Sequence, residues 1–264
     1  MSARSPKRFA VFGLVRGYTG FNKWKYVQLL VRNWALGIWK WKSKFSGDFV
    51  IFHEGNISRF DQFMLRVLSL LDLRFVDISA VWKPNENSRW EGLSDFPLSY
   101  SLMCKFNYAD LWGFLESYDV VCRVDEDCIV LNLPDFSTVG LFDTGALFEE
   151  SHPRTNATMP SYLETLGLER FYDHSFPYTN LYVTRTAFWS SEPVASFLNA
   201  VANHPDALEY RWGDIPVLGV ALKAFGNWDS IASVNSDIEY FHLSHLTKVA
   251  KGKKADIRTN DVWE

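Results

Sequence analysis

Three acidic side chains in a row, Asp125-Glu126-Asp127, follow Arg123 and the short apolar run Asp119 to Val124. Adjacent carboxylates repel one another, and a divalent cation offsets that repulsion. Mn²⁺ and Mg²⁺ favour such hard oxygen ligands and keep coordination positions open for phosphate. Residues two apart on an extended segment point the same way, so Asp125 and Asp127 are expected to share a ligand while Glu126 points elsewhere. A cation held there would neutralise a departing diphosphate, which is what release of a sugar from a nucleotide requires. An acidic surface turn has the same three letters. Placement just past an apolar strand, with Arg123 inside it, favours a site, because ligands gather at the carboxyl ends of strands in parallel sheets.

Other segments carry chemistry-bearing groups. In Tyr210-Arg-Trp-Gly-Asp214, Asp214 falls at a helix start, where it either caps the helix or orients and deprotonates an acceptor hydroxyl. Asp237-Ile-Glu-Tyr-Phe-His242-Leu-Ser-His245 offers histidines that would complete a metal shell begun by carboxylates. Glu149 and Glu150 follow a strand-like run and are candidates for a base or an acceptor contact. Val15 and Arg16 at the end of the first strand, and Glu54 past the second, are candidates for the nucleotide side.

These residues need a scaffold. Phe9 to Val15, Asp48 to Phe52, Arg74 to Val81 and Asp119 to Val124 read as strands, with Ile129 to Leu131 continuing in extended form. Helical spacing joins Tyr26, Leu29, Leu30, Asn33, Trp34, Ile38 and Trp41, and predicts helices over Phe63 to Leu71 and Tyr100 to Glu116. Trp82 to Asp95 is a loop. Alternating strands and helices imply an α/β fold: a mostly parallel central sheet with helices on both faces. No dinucleotide or P-loop glycine signature is present. Beyond it, Leu141 to Phe148 and Tyr178 to Thr184 read as strands. Met159 to Leu168, the run around Val194 to Val201, and Asp214 to Phe225 read as helices. The basic tail from Lys248 reads as a loop. The expected organisation is one domain over 1–264, with a nucleotide-binding half at about 8–132, an acceptor half at about 133–247 and the tail at 248–264.

Composition sets limits. The chain has 264 residues and a net charge of -4, so no basic surplus asks for nucleic acid. Aromatics make up 16%, enough for a bulky core plus rings that stack on sugars and bases. Cys104, Cys122 and Cys128 form neither a zinc pattern nor an even disulfide set, which suits a reducing compartment. No apolar signal run follows Met1 to Arg8 and no run is long enough to span a bilayer. A cytoplasmic location, peripheral at a membrane if anything, is the expectation. Lys23-Trp24-Lys25-Tyr26 and Trp39-Lys40-Trp41-Lys42-Ser43-Lys44 would suit contact with an anionic membrane, although a sheet-covering helix with a solvated lysine face accounts for them more simply.

Several segments together resemble the fungal-type α-1,2-mannosyltransferases of glycosyltransferase family 15. They are Phe12-Gly-Leu-Val-Arg16, Tyr100-Ser-Leu-Met-Cys-Lys-Phe106, Tyr118-Asp119 through Arg123-Val-Asp-Glu-Asp127, Tyr210-Arg-Trp-Gly-Asp-Ile-Pro-Val217 and Asp237 to His242. The resemblance implies a single-domain glycosyltransferase A fold and a Mn²⁺-dependent enzyme, with Mg²⁺ as the other candidate ion. The metal would lie on Asp125, Asp127 and His242. The nucleotide would lie near Arg16, Tyr100, Lys105 and Arg123, and the acceptor near Trp212 and Asp214. Two segments depart from the family. Its Glu-Pro-Asp is Asp125-Glu126-Asp127 here, and its Ser-Asn-Phe-Glu, whose Glu is a candidate nucleophile, is Thr179-Asn180-Leu181-Tyr182.

The expected activity is transfer of a sugar from a GDP- or UDP-linked donor to a glycan or glycolipid hydroxyl. A nucleotidyltransferase and a non-catalytic glycan-binding module are the alternatives, and the anomeric outcome stays open.

Overall fold

The computed structural model describes residues 8–26, 47–92, 95–226 and 233–256. Most of the expected stripe from Tyr26 to Trp41, and residues 39–44 with it, lie outside these ranges.

The central sheet has seven strands. Four are contiguous and parallel: β1 (Phe9–Val15), β2 (Asp48–His53), β3 (Leu73–Asp77) and β4 (Val120–Val124). Strand β5 (Cys128–Asn132) leaves this sheet. The expected strand over 141–148 is two short ones, β6 (Phe142–Thr144) and β7 (Leu147–Glu149), which belong to different sheets. β7 pairs with β8 (Ser175–Pro177). Strand β9 (Leu181–Arg185) runs antiparallel between β4 and β6, and β10 (Ser233–Val234) closes the far edge, giving the order β10-β6-β9-β4-β1-β2-β3.

Strands covered on both faces read as continuous apolar runs, and these do. Ala10, Phe12, Val50, Phe52 and Val121 enter the core on one face. Val11, Phe49, Ile51, Val120 and Cys122 enter the core on the other. Helix α1 (Arg59–Ser69) starts at Ser58, whose Oγ accepts from the Asp61 amide at 3.1 Å. Helix α2 (Leu98–Lys105) runs through a wide π-helical turn, Phe106–Asp110, into α3 (Leu111–Leu115). Helices α4 (Pro153–Thr165), α5 (Glu192–Ala202) and α6 (Asp214–Phe225) complete the main set. Gly219 lets α6 lie against β8, since a Cβ there would meet the Phe176 ring at 2.3 Å.

The tail differs from the expected loop. β11 (Glu239–His242), β12 (Thr247–Ala250) and β13 (Lys253–Asp256) form an antiparallel sheet with β5, in the order β13-β12-β11-β5. A two-residue turn, Lys251-Gly252, with positive φ at both positions, joins β12 to β13. That geometry matches the twist of a hairpin. Among the described residues, no helix is long and apolar enough to cross a membrane.

Candidate active site

A cleft of about 790 Å³ opens where β1, β2 and β4 end. Its size is that of a pocket for a small organic ligand. Leu14 near the end of β1, Arg16 and Tyr18 after it, and Glu54 after β2 line the cleft. Asp125, Glu126, Asp127, Asn180 and His242 line it as well. Tyr100, Met103 and Asn107, at helical spacing along α2 and the wide turn, complete the lining with Trp82.

The acidic run is a turn between two sheets rather than an extended strand. The Cys128 amide donates to the Asp125 carbonyl at 3.0 Å, closing the turn from β4 into β5. All three acids therefore face the cleft, and Glu126 does not point away. It accepts from the Tyr18 hydroxyl at 3.0 Å and from the Arg16 amide at 3.4 Å, tying the turn to the end of β1. Burial pushes its carboxyl up to about 7.

Two of the three expected metal ligands come together. The β5–β11 ladder sets His242 opposite Cys128, and His242 Nε2 lies 3.3 Å from Asp127 Oδ2. The Ser244 amide donates to the same oxygen at 3.2 Å. Burial alone would raise the Asp127 pKa, but the hydrogen bond and charge of His242 and the Ser244 amide hold it below its ordinary value. Tyr178 Oη lies 3.1 Å from His242 Nδ1, and Asn180 Nδ2 lies 3.3 Å from Nε2. With a cation bound, the ring would carry its proton on Nδ1, beside Tyr178, and would offer the Nε2 lone pair to the ion in place of a hydrogen bond to Asp127. Ligand histidines are commonly oriented through the other nitrogen in this way.

The third expected ligand, Asp125, is engaged otherwise. Its Oδ1 accepts from Arg123 Nε at 2.9 Å and its Oδ2 from Asn180 Nδ2 at 3.1 Å. The group whose donor atoms cluster within 4.8 Å is Asp127, Cys128 and His242. Cys128 is a buried thiol whose pKa burial drives well above its ordinary value, so it is a neutral, soft neighbour. Asp127 and His242 are the pair chemically suited to Mn²⁺ or Mg²⁺.

Arg123 lines the cleft, and its Nη1 donates to Asp214 Oδ2 at 2.5 Å. Asp214 also accepts from Thr179 Oγ1 at 3.1 Å. It is buried behind the arginine and does not line the cleft. This corrects the expectation that it meets an acceptor hydroxyl directly. Nor does its side chain cap α6, because its carboxylate turns to Arg123 instead.

Other expected residues are also placed elsewhere. Val15 is wholly buried between Leu14 and Arg16. Lys105 is buried too, its Nζ 2.9 Å from Asp110 Oδ2, so its charge is satisfied within the protein. Trp212 stacks between Tyr162 and His204, and its Nε1 donates to Thr158. Glu150 is buried and accepts from the His152 amide at 2.7 Å, while Glu149 lies exposed on β7. None of these lines the cleft. Tyr182, at the position of the family carboxylate, is fully buried and stacks on Phe142 at 4.7 Å.

Arg16, Glu54 and Tyr100 do line it. Burial raises the Glu54 pKa against the opposing charge of Arg16. Tyr100 is fixed by stacking on Phe96 and by a 3.1 Å bond from Arg211 Nη2. Of the basic Trp-rich stretch, Lys23 pairs with Asp61 at 2.9 Å and Lys25 reaches the cleft. Sequence reasoning missed Tyr18, Asn107 and Asn180. Asn180 had one signal, its place in the segment compared with Ser-Asn-Phe-Glu.

No family model matches the chain. A curated Schizosaccharomyces pombe protein, O-glycoside alpha-1,2-mannosyltransferase omh1, is 24% identical over 196 residues, covering 61% of this chain and 49% of that protein. The chain thus spans about half the length of that relative. The crystal structure of core-mannan synthase A from Aspergillus fumigatus, in a Mn/GDP form, aligns with a TM-score of 0.76 at 16% identity, over 98% of this chain and 82% of that one. The mannosyltransferase Ktr4p from S. cerevisiae aligns at 0.72 and 15% identity, over 97% and 73%. Its complex with GDP aligns at 0.71 and 14%, over 97% and 74%. The chain has the fold of these enzymes, the glycosyltransferase A fold.

Proposed function

We propose that this chain is a Mn²⁺-dependent glycosyltransferase that moves a hexose, mannose being the first candidate, from a GDP-linked donor to a glycan or glycolipid hydroxyl. One observation carries the reading. Asp127 and His242 converge at 3.3 Å in a cleft at the carboxyl ends of parallel strands. Mannosyltransferases of the same fold have been solved with Mn/GDP and with GDP, which supports the choice of ion and nucleotide.

The donor set fits the ion. Asp127 and His242 would hold it, with Asp125 at the edge, and it would supply charge neutralisation of the departing diphosphate. The remaining work falls to the protein. Arg16 and Tyr18 flank the nucleotide side, and Glu126 braces that wall against the acidic turn. Asn180 orients both Asp125 and His242. Arg123, held by Asp214, presents positive charge at the cleft floor, where negative charge grows on the leaving group. Asp214 acts as a positioning residue.

Asp214, Glu149 and Glu150, the bases expected from sequence, do not line the cleft. Glu126 does line it, but it is tied to the Tyr18 hydroxyl and the Arg16 amide; for transfer with retention, the route would run on one face of the sugar. The acceptor oxygen bonds to the anomeric carbon as the carbon–oxygen bond to phosphate breaks, and the acceptor proton passes to the departing phosphate oxygen.

A thermal-shift panel of GDP, UDP, CMP and dTDP sugars, with and without Mn²⁺, tests the donor. A Mn²⁺-dependent shift with GDP-mannose and release of GDP on adding a mannoside acceptor are the expected results. Release of pyrophosphate would mark a nucleotidyltransferase. Glycan binding with no donor turnover would mark a binding module.

A further inference from the structure

We propose that Asn107 is a specificity-determining residue whose side-chain amide hydrogen-bonds a hydroxyl of the donor sugar. The inference rests on the glycosyltransferase reading above and deepens it. Asn107 is 1% exposed, yet it lines the cleft. Its Nδ2 has no hydrogen-bond partner among the described residues. An amide nitrogen carries two donors, and leaving them buried and unpaired is costly. Nearly all buried polar groups in proteins are paired, and of the described residues with an unpaired buried side-chain atom, Asn107 and Asn180 are the two that line the cleft.

Its position narrows what that acceptor is. Asn107 sits in the wide turn Phe106–Asp110, which follows α2 without a break. Such π-type turns recur at functional sites because they re-aim side chains. Tyr100, Met103 and Asn107 form one stripe facing the cleft. Cys104, on the turn between Met103 and Asn107, receives a hydrogen bond from the Asp214 backbone. The stripe is therefore linked through Cys104 to the Arg123–Asp214 pair, and it lines the same cleft as Arg16, Glu54, Asp127 and His242. With the nucleoside near Arg16 and Glu54 and the diphosphate near Asp127 and His242, the stripe is the surface left for the hexose. A hexose presents neutral hydroxyls, which suit a neutral amide better than a charged group. A site built to bond a hydroxyl discriminates strongly against donors that lack it.

The test uses the full chain, wild type and Asn107→Asp, with Asn107→Ser as a second variant should the first fail to fold. Calorimetric titration with GDP and Mn²⁺, then with GDP-mannose and Mn²⁺, separates nucleotide from sugar. GDP should bind all forms alike. The sugar nucleotide should bind the variants more weakly, and kcat/KM should fall, by roughly tenfold to a hundredfold. A panel of monodeoxy donors adds a readout that a structural role would not move: one deoxy donor should bind wild type as weakly as it binds the variant. Equal loss of GDP and GDP-mannose binding overturns the proposal, as does unchanged kcat/KM for every donor. Wild-type protein that binds no nucleotide with Mn²⁺ overturns the glycosyltransferase reading first, and is distinguished by needing no variant.

Discussion

Arg123 and Asp214, 91 residues apart in the chain, meet at 2.5 Å beneath the cleft. Both are buried, and Arg123 also pairs with Asp125 at 2.9 Å, so Asp214 depends on Arg123 more than Arg123 depends on Asp214. Removing one partner of a buried pair typically costs about 3–5 kcal/mol, because the survivor stays charged and desolvated. Asp214→Ala is accordingly expected to lower the unfolding free energy measured in urea by up to that much, with a lower midpoint and an unchanged m-value. Asp214→Asn, which keeps the hydrogen-bonding shape, should cost less. A loss under about 1 kcal/mol for Asp214→Ala would show that Arg123 finds another counter-ion, Asp125 being at hand.

Metal removal should act through Asp127 and His242. A ligand present at a hundred times its dissociation constant stabilises the native state by about 2.7 kcal/mol. Mn²⁺ should raise the melting temperature of the wild type, and EDTA should abolish the gain. Asp127→Asn and His242→Ala should melt without gain from Mn²⁺ and lose turnover, while Glu149→Gln should keep both. A Mn²⁺ gain surviving in Asp127→Asn would move the metal site away from this pair.

Trp212 gives a contrasting case. It is buried between two rings and is not part of the cleft lining, so truncation should act on stability. Trp212→Ala is expected to cost about 3–5 kcal/mol, the range for large core aromatics. Trp212→Phe should keep the KM for acceptor. A selective rise in acceptor KM with normal stability would return Trp212 to the site.

The pH dependence has a definite sign at His53, buried at the end of β2. Burial lowers its pKa below the ordinary 6.5, opposed by the charge of Asp77. The unfolded ring therefore takes up its proton at higher pH than the folded ring. Stability is full above pH 6.5 and declines as pH falls from there toward the folded value. His152, His204 and His245 are shifted the same way. His53→Gln should flatten part of this slope in chemical denaturation between pH 7 and pH 5. An unchanged slope would remove His53 as a contributor.

Much of this architecture was legible in advance where local pattern and tertiary role agree. Helix α6 begins and ends where its spacing predicts, and β1, β2 and β4 are apolar because both their faces are buried. The second sheet was hidden, since β5 pairs with β11, more than a hundred residues later, and short range patterns carry no trace of that. The β12–β13 hairpin did leave a mark, Lys251-Gly252, masked by the lysines around it. In the site, Asp127 and His242 stood out by residue type. Asp214, Trp212 and Lys105 stood out equally, yet burial turned their polar atoms toward the protein. Asn107 and Asn180 were silent because an asparagine in an apolar helix or at a strand start looks ordinary until its partners are known.

The cysteines have a practical consequence. Cys104 lies over Asp214, Cys122 is inside β4 and Cys128 adjoins Asp127; all three are free and buried. Burial pushes the Cys104 thiol up to about 12 and raises the other two well above the ordinary thiol value, so the native protein gives an alkylating reagent almost no thiolate to attack. Labelling then waits on transient opening of the structure. Peptide-resolved modification rates at these three positions would time the opening of the helix wall, the central sheet and the acidic turn separately, a clock built into the unaltered chain.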